Sequence, residues 1–137
     1  MGFNVQDAGL IATKALPAAG AVAYTAAIDL GARNAIQGDF LAACEFEVSV
    51  PATPDLVEAK TIIFDIETDN DVEWGSAKNV NDNILTITGA ALAAGGVAGS
   101  QRFRLPTNVE RYLRASATVL ADGGSNIAVS FTLKALL

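Results

Sequence analysis

From Tyr112 to Val119 the side chains change character at every step. Leu113, Ala115, Ala117 and Val119 share one parity, and Tyr112, Arg114, Ser116 and Thr118 share the other. A period of two sends one set into a core and the other to an outer face, which a helix of about 3.6 residues per turn cannot do. The same alternation recurs along most of the chain. It predicts strands over 24–30, with Tyr24, Ala26, Ile28 and Leu30 inward, and over 41–50, with Cys44, Phe46, Val48 and Val50 inward and Glu45, Glu47 and Ser49 outward. It continues over 60–68, where Ile62, Phe64 and Ile66 oppose Ile63, Asp65 and Glu67, and over 84–88, 101–105 and 110–120. Over 127–137, Ile127, Val129, Phe131 and Leu133 point inward. Pro51 and Pro54 close the second strand, because proline has no ladder donor. Asp122-Gly123-Gly124 reads as a hairpin turn pairing the last two strands. About eight strands separated by turn signals predict an all-β chain, an antiparallel β-sandwich of jelly-roll type. Residues 1–22 lack a sustained period; Gly9 to Ala15 reads as a strand or a helical turn, and the whole is assigned to an extended N-terminal arm, leaving 23–137 as the domain.

Composition narrows the chemistry. The 137 residues suffice for one domain with a core of its own. A net charge of −6 argues against nucleic-acid binding, which calls for a basic stripe. Histidine is absent, which removes Ser-His and Cys-His nucleophiles and histidine metal ligands together. The single cysteine, Cys44, excludes an intramolecular disulfide and reads as a small buried hydrophobe. The first basic residue is Lys14, so no charged segment opens a secretory signal, and folding in a reducing cytoplasm is expected. The uncharged run 83–101 is interrupted by Gly89, Gly95, Gly96 and Gly99 and reads as a strand and a flexible glycine-rich loop, not a membrane span or a phosphate cradle.

Carboxylates are the remaining acid/base candidates. Asp65, Glu67, Asp69, Asp71 and Glu73 share one parity and would form an acidic ridge if the strand continued. Successive members would stand about 7 Å apart, within glycosidase reach. Only Trp74 supplies an aromatic beside them, so a solvated edge is the favoured reading, with no catalytic residue and no enzyme activity assigned. Calcium binding by Asp69, Asp71 and Glu73 is the better functional alternative, but no glycine marks the bend of a calcium loop and no metal or other cofactor is assigned. Five residues stand out as interface candidates: Tyr112, Arg114, Arg111, Arg102 and Arg104. Arg102 and Arg104 have a second reading as cross-strand partners of Asp65 or Glu67. Tyr112 and Arg114 are of the types enriched at interface hot spots.

Leu105-Pro106, the run Glu110-Arg111-Tyr112-Leu113-Arg114 and then Thr118-Val119 resemble the C-terminal signature of the jelly-roll capsid cement, or decoration, proteins of short-tailed double-stranded-DNA bacteriophages. Asp7-Ala8-Gly9-Leu10, Asp29-Leu30-Gly31, Gly38-Asp39 and the strand through Phe64, Ile66, Thr68 and Asp69 fall in the same order. The segment 72–100 departs most from that pattern. The resemblance implies a structural virion protein on the outer capsid surface, made in the host cytoplasm. Its expected partners are the major capsid protein and further copies of itself, as a homodimer across local two-fold axes or a trimer, with neither nucleic acid nor membrane. The alternative is a carbohydrate-binding jelly-roll module, with or without calcium, that stacks sugars on Trp74 or Tyr112.

Overall fold

The computed structural model describes residues 10–30, 45–106 and 109–136. They form β1 (Ile11–Ala15), β2 (Val22–Tyr24), β3 (Ile28–Asp29), β4 (Glu45–Val50), β5 (Thr61–Asp69), β6 (Lys78–Thr88), β7 (Gly99–Arg104), β8 (Tyr112–Val119) and β9 (Ser130–Leu136). Two antiparallel sheets pack face to face as a β-sandwich. One has the order β1-β9-β4-β7; the other has the order β2-β8-β5-β6, with β3 also on β8. The pairs are nested: β5 with β6, β4 with β7, β2 and β3 with β8, β1 with β9. Among the described residues these pairs nest around the β5–β6 pair, and β4–β9 and β5–β8 pairing completes the two sheets.

Alternation fills the space between the sheets as anticipated. Phe46, Val48 and Val50, Ile62, Phe64 and Ile66, Leu113, Ala115, Ala117 and Val119, and Phe131 and Leu133 are all buried. Each large side chain removed from water contributes about 1.5–3 kcal/mol. The alanines of β8 have a packing reason: Phe64 stands in register with Ala117 and Ile66 with Ala115, so large residues face small ones. Phe64 then reaches across to Phe131 in an edge contact with ring centroids 5.5 Å apart.

Several elements differ from the sequence-based expectation. The second half of the expected arm is a sheet strand: Ile11–Ala15 pairs with β9, and Leu16, only 2% exposed, is core. The alternation that would have revealed it is short, because β1 is an edge strand with one buried residue, Ala12. In the free protein, hydrogen exchange is expected to find the Leu16 amide protected, since its N–H donates to Val129 O at 2.9 Å. Rapid exchange there would restore a loose arm.

The Asp122-Gly123-Gly124 turn does not pair the strands beside it: β8 and β9 lie in different sheets, and 120–129 crosses between them. Asp122 and Gly124 have positive φ, while Asn126, buried, donates to the Gly123 and Gly124 carbonyls and fixes a wide connection instead of a two-residue loop. Ile127 is accordingly 58% exposed rather than inward.

The expected strand 24–30 is two strands. Tyr24 stands opposite Ser116 and Ile28 opposite Leu113, so four steps on one side meet three on the other, a one-residue bulge. Thr25 anchors it, accepting the Ala115 N–H and donating its own N–H to Ala115 O. The bulge turns Tyr24 outward while Ile28 stays buried. Finally, β6 runs to Lys78 rather than starting at 84, an exposed edge whose asparagines carry little strand signal. Cys44 and the expected strand residues 41–44 lie outside the described residues.

Candidate functional site

The outer face of β8 carries two of the residues singled out by the sequence. The Arg114 guanidinium lies over the Tyr24 ring at 3.8 Å and over the Trp74 ring at 4.0 Å. Its Nη2 donates to Glu67 Oε1 at 2.9 Å, and both side chains are only 13% exposed. Four segments therefore converge on one cation: β2 through Tyr24, β5 through Glu67, β8 itself, and the 70–76 turn through Trp74. Trp74 is held in place by Asp69, a buried carboxylate that accepts the N–H groups of Asp71 at 3.0 Å and Ser76 at 2.8 Å. Asp71 in turn accepts the Glu73 N–H. The acidic ridge is thus broken at Asp69, where β5 ends.

Burial pushes the Asp69 carboxyl up, but the N–H groups of Asp71, Ser76 and Asn70 and the charge of Lys78 outweigh it, holding the group below its usual value of 3.8. A lowered folded pKa contributes stability above the unfolded value that is lost as pH falls from about 3.8 through the folded value. Fluorescence of Trp74, the single tryptophan, is expected to change in that window as the turn loosens, and Asp69→Asn is expected to abolish the transition. An acid transition unaltered by Asp69→Asn would place its origin elsewhere.

The remaining carboxylates of β5 are also engaged. Asp65 accepts the N–H of Asn83 at 2.7 Å, where Asn83 has positive φ and β6 slips register against β5. With Asp65 spent on a bulge and Glu67 on Arg114, the pair is not arranged across a substrate groove. Among the described residues, no group of three or more Asp, Glu, Cys or His side chains could hold a metal ion.

The five interface candidates do not form one patch. Arg102 and Arg104 lie on β7, on the outer face of the other sheet, where they pair with Glu47 at 3.4 Å and Glu45 at 3.7 Å rather than with Asp65 or Glu67. Tyr112 and Arg114 face outward from β8, and Arg111, just before it, forms a two-pronged pair with Asp29 at 2.9 and 3.0 Å. The chain crosses between sheets from β7 to β8, which separates residues close in sequence. Each of the four arginines has a carboxylate partner from another strand, so the local positive charge is neutralised.

A surface that sequence reasoning missed lies at one end of the sandwich. The segments 51–60, 89–98 and 120–128 are knit together there: Thr53 and Gly96 exchange backbone hydrogen bonds, Val57 N–H donates to Gly123 O, and Ala59 N–H to Gly89 O. The glycine-rich run is thereby a packed hairpin; a Cβ on Gly95 would sit 2.5 Å from Thr53 O. At its tip Leu92 is 95% exposed, and Val57 and Val97 are exposed beside it. Leu92 and Ala93 carried no turn signal, since turns with positive φ at consecutive positions usually take Asn-Gly.

No protein-family model matches this chain, and no curated protein matches it at a significant level. No helix among the described residues is long and apolar enough to cross a membrane.

Proposed function

We propose that this chain is a structural binding module of jelly-roll type, a capsid cement protein that attaches to the outside of a phage shell and bridges major capsid protein subunits. The observation that carries this reading is the nested strand order, β1-β9-β4-β7 against β2-β8-β5-β6, of the kind jelly rolls adopt. It is supported by the way charged side chains on both outer faces are spent on one another, which favours a rigid body that binds through its surface over one that performs chemistry. Modest contacts repeated over many copies would then hold the shell by multivalency, with copies related by local two-fold axes. The carbohydrate-binding alternative is weakened at Trp74, whose ring is already faced by Arg114.

The test is sedimentation with shells of the major capsid protein assembled without this chain. Saturable co-sedimentation and a blank glycan array are expected. Failure to bind shells would overturn the cement reading, and selective glycan binding would then favour the carbohydrate module.

A further inference from the structure

We propose that the loop end of the sandwich, with Leu92 at its tip, is the docking surface, and that it seats on a protein surface offering an apolar hollow bordered by lysine or arginine. This rests on the cement reading, with the shell as the partner.

Three observations converge on this end. Exposed large apolar side chains are concentrated there. Of eight among the described residues, Val57, Leu92, Val97, Leu120 and Ile127, five in all, lie on its three loops. Scattered single hydrophobics are ordinary on a surface, but a cluster on loops held by a rigid scaffold marks an interaction site.

The second observation is backbone strain at the tip. Leu92 has φ 61° and Ala93 φ 57°, two consecutive non-glycine residues in the left-handed region. Asn-Gly would serve this turn with less strain, so the leucine is costly to the fold. What it provides is an apolar knob held away from the core.

The third is charge. Beside the hairpin, a shallow depression of about 450 Å³ is lined by Pro54, Asp55, Leu56, Val57, Glu58 and Ala93. Asp55 and Glu58 are exposed and form no ion pair with a described residue, unlike Glu45, Glu47 and Glu67 on the sheets. Across 51–60, 89–98 and 120–128 the charged residues are Asp55, Glu58 and Asp122 against Lys60, a net −2. An apolar knob next to unpaired carboxylates fits a hollow with a basic rim, and that complementarity would set register on the shell.

Two variants test it on the full chain, with the same shells assembled without it. Leu92→Asn with Ala93→Gly keeps the turn and removes the knob; Asp55→Lys with Glu58→Lys keeps the knob and reverses the charge. The turn variant is expected to melt higher than wild type yet bind about tenfold more weakly or worse, as for loss of a hot spot. The charge variant is expected to lose about tenfold with little change in melting. If both variants fold and bind shells as tightly as wild type, docking lies elsewhere and the cement reading stands. If wild type itself does not bind shells, both proposals fall.

Discussion

Arg114→Ala is expected to destabilise the protein by about 3 kcal/mol, as much as many core truncations, although the side chain lies on an outer face. The substitution would leave Glu67, 13% exposed, without its partner, and removing one member of a buried pair costs more than the pair contributes. It would also remove the cation that the Tyr24 and Trp74 rings share, freeing the 70–76 turn on one side and β2 on the other. Leu113→Ala, one residue earlier and on the opposite face, is expected to cost about 2–5 kcal/mol as a cavity in a fully buried site. Arg102→Ala serves as the contrast. Its side chain is 66% exposed and its ion pair is 3.4 Å long, so a loss within about 1 kcal/mol is expected. Arg114→Lys separates charge from stacking: it can keep the ion pair but presents no planar group to the rings. Urea denaturation of the four variants provides the measurement. An unchanged midpoint for Arg114→Ala would mean that the cluster contributes nothing to the fold and that Arg114 is free to serve a partner.

Alternation makes the outward Arg114 an interface candidate, whereas the fold gives it a partner within its own chain, and the difference shows what alternation can and cannot reveal. Period two correctly sent Leu113 in and Arg114 out, because facing is a local property of the pleat. Whether an outward arginine meets a partner or its own chain depends on what the neighbouring strand and turn bring to it. Glu67 arrives through β5–β8 register, and Trp74 through a turn fixed by a buried Asp69, neither of which is local in sequence. The reading that pairs Arg102 and Arg104 with Asp65 or Glu67 fails for the same reason: β7 pairs with β4, not β5. The Asp122-Gly123-Gly124 signal marked a real turn, but a turn alone does not say whether the chain returns in the same sheet or crosses to the other. At the loop end even the local signal was missing, since Leu92 and Ala93 occupy a conformation that their residue types disfavour.

Gly89→Ala is expected to cost about 3 kcal/mol, at the upper end of what overpacking exacts, although it adds a single methyl group at the surface end of the sandwich. No positive φ is involved at this glycine; the obstacle is space. A Cβ built there would collide with the carbonyl oxygen of Val57, lie 2.7 Å from the Val57 carbonyl carbon and 3.0 Å from Leu56 O. These are backbone atoms, so no rotamer change relieves the contact. The segment cannot retreat freely either, because Gly89 N–H donates to Lys60 O at 2.9 Å while Ala59 N–H donates to Gly89 O at 3.0 Å. Moving it would also withdraw Leu56, 1% exposed, from the core. Gly75→Ala is the matched control: its Cβ would meet only the far end of the Asp71 side chain, at 3.4 Å, and a change within about 0.5 kcal/mol is expected. Thermal melts of the two alanine variants against wild type decide the matter. Equal melting of Gly89→Ala and Gly75→Ala would show that 56–60 yields without cost, and the loop end would then lack the rigidity that its proposed role as a docking surface requires.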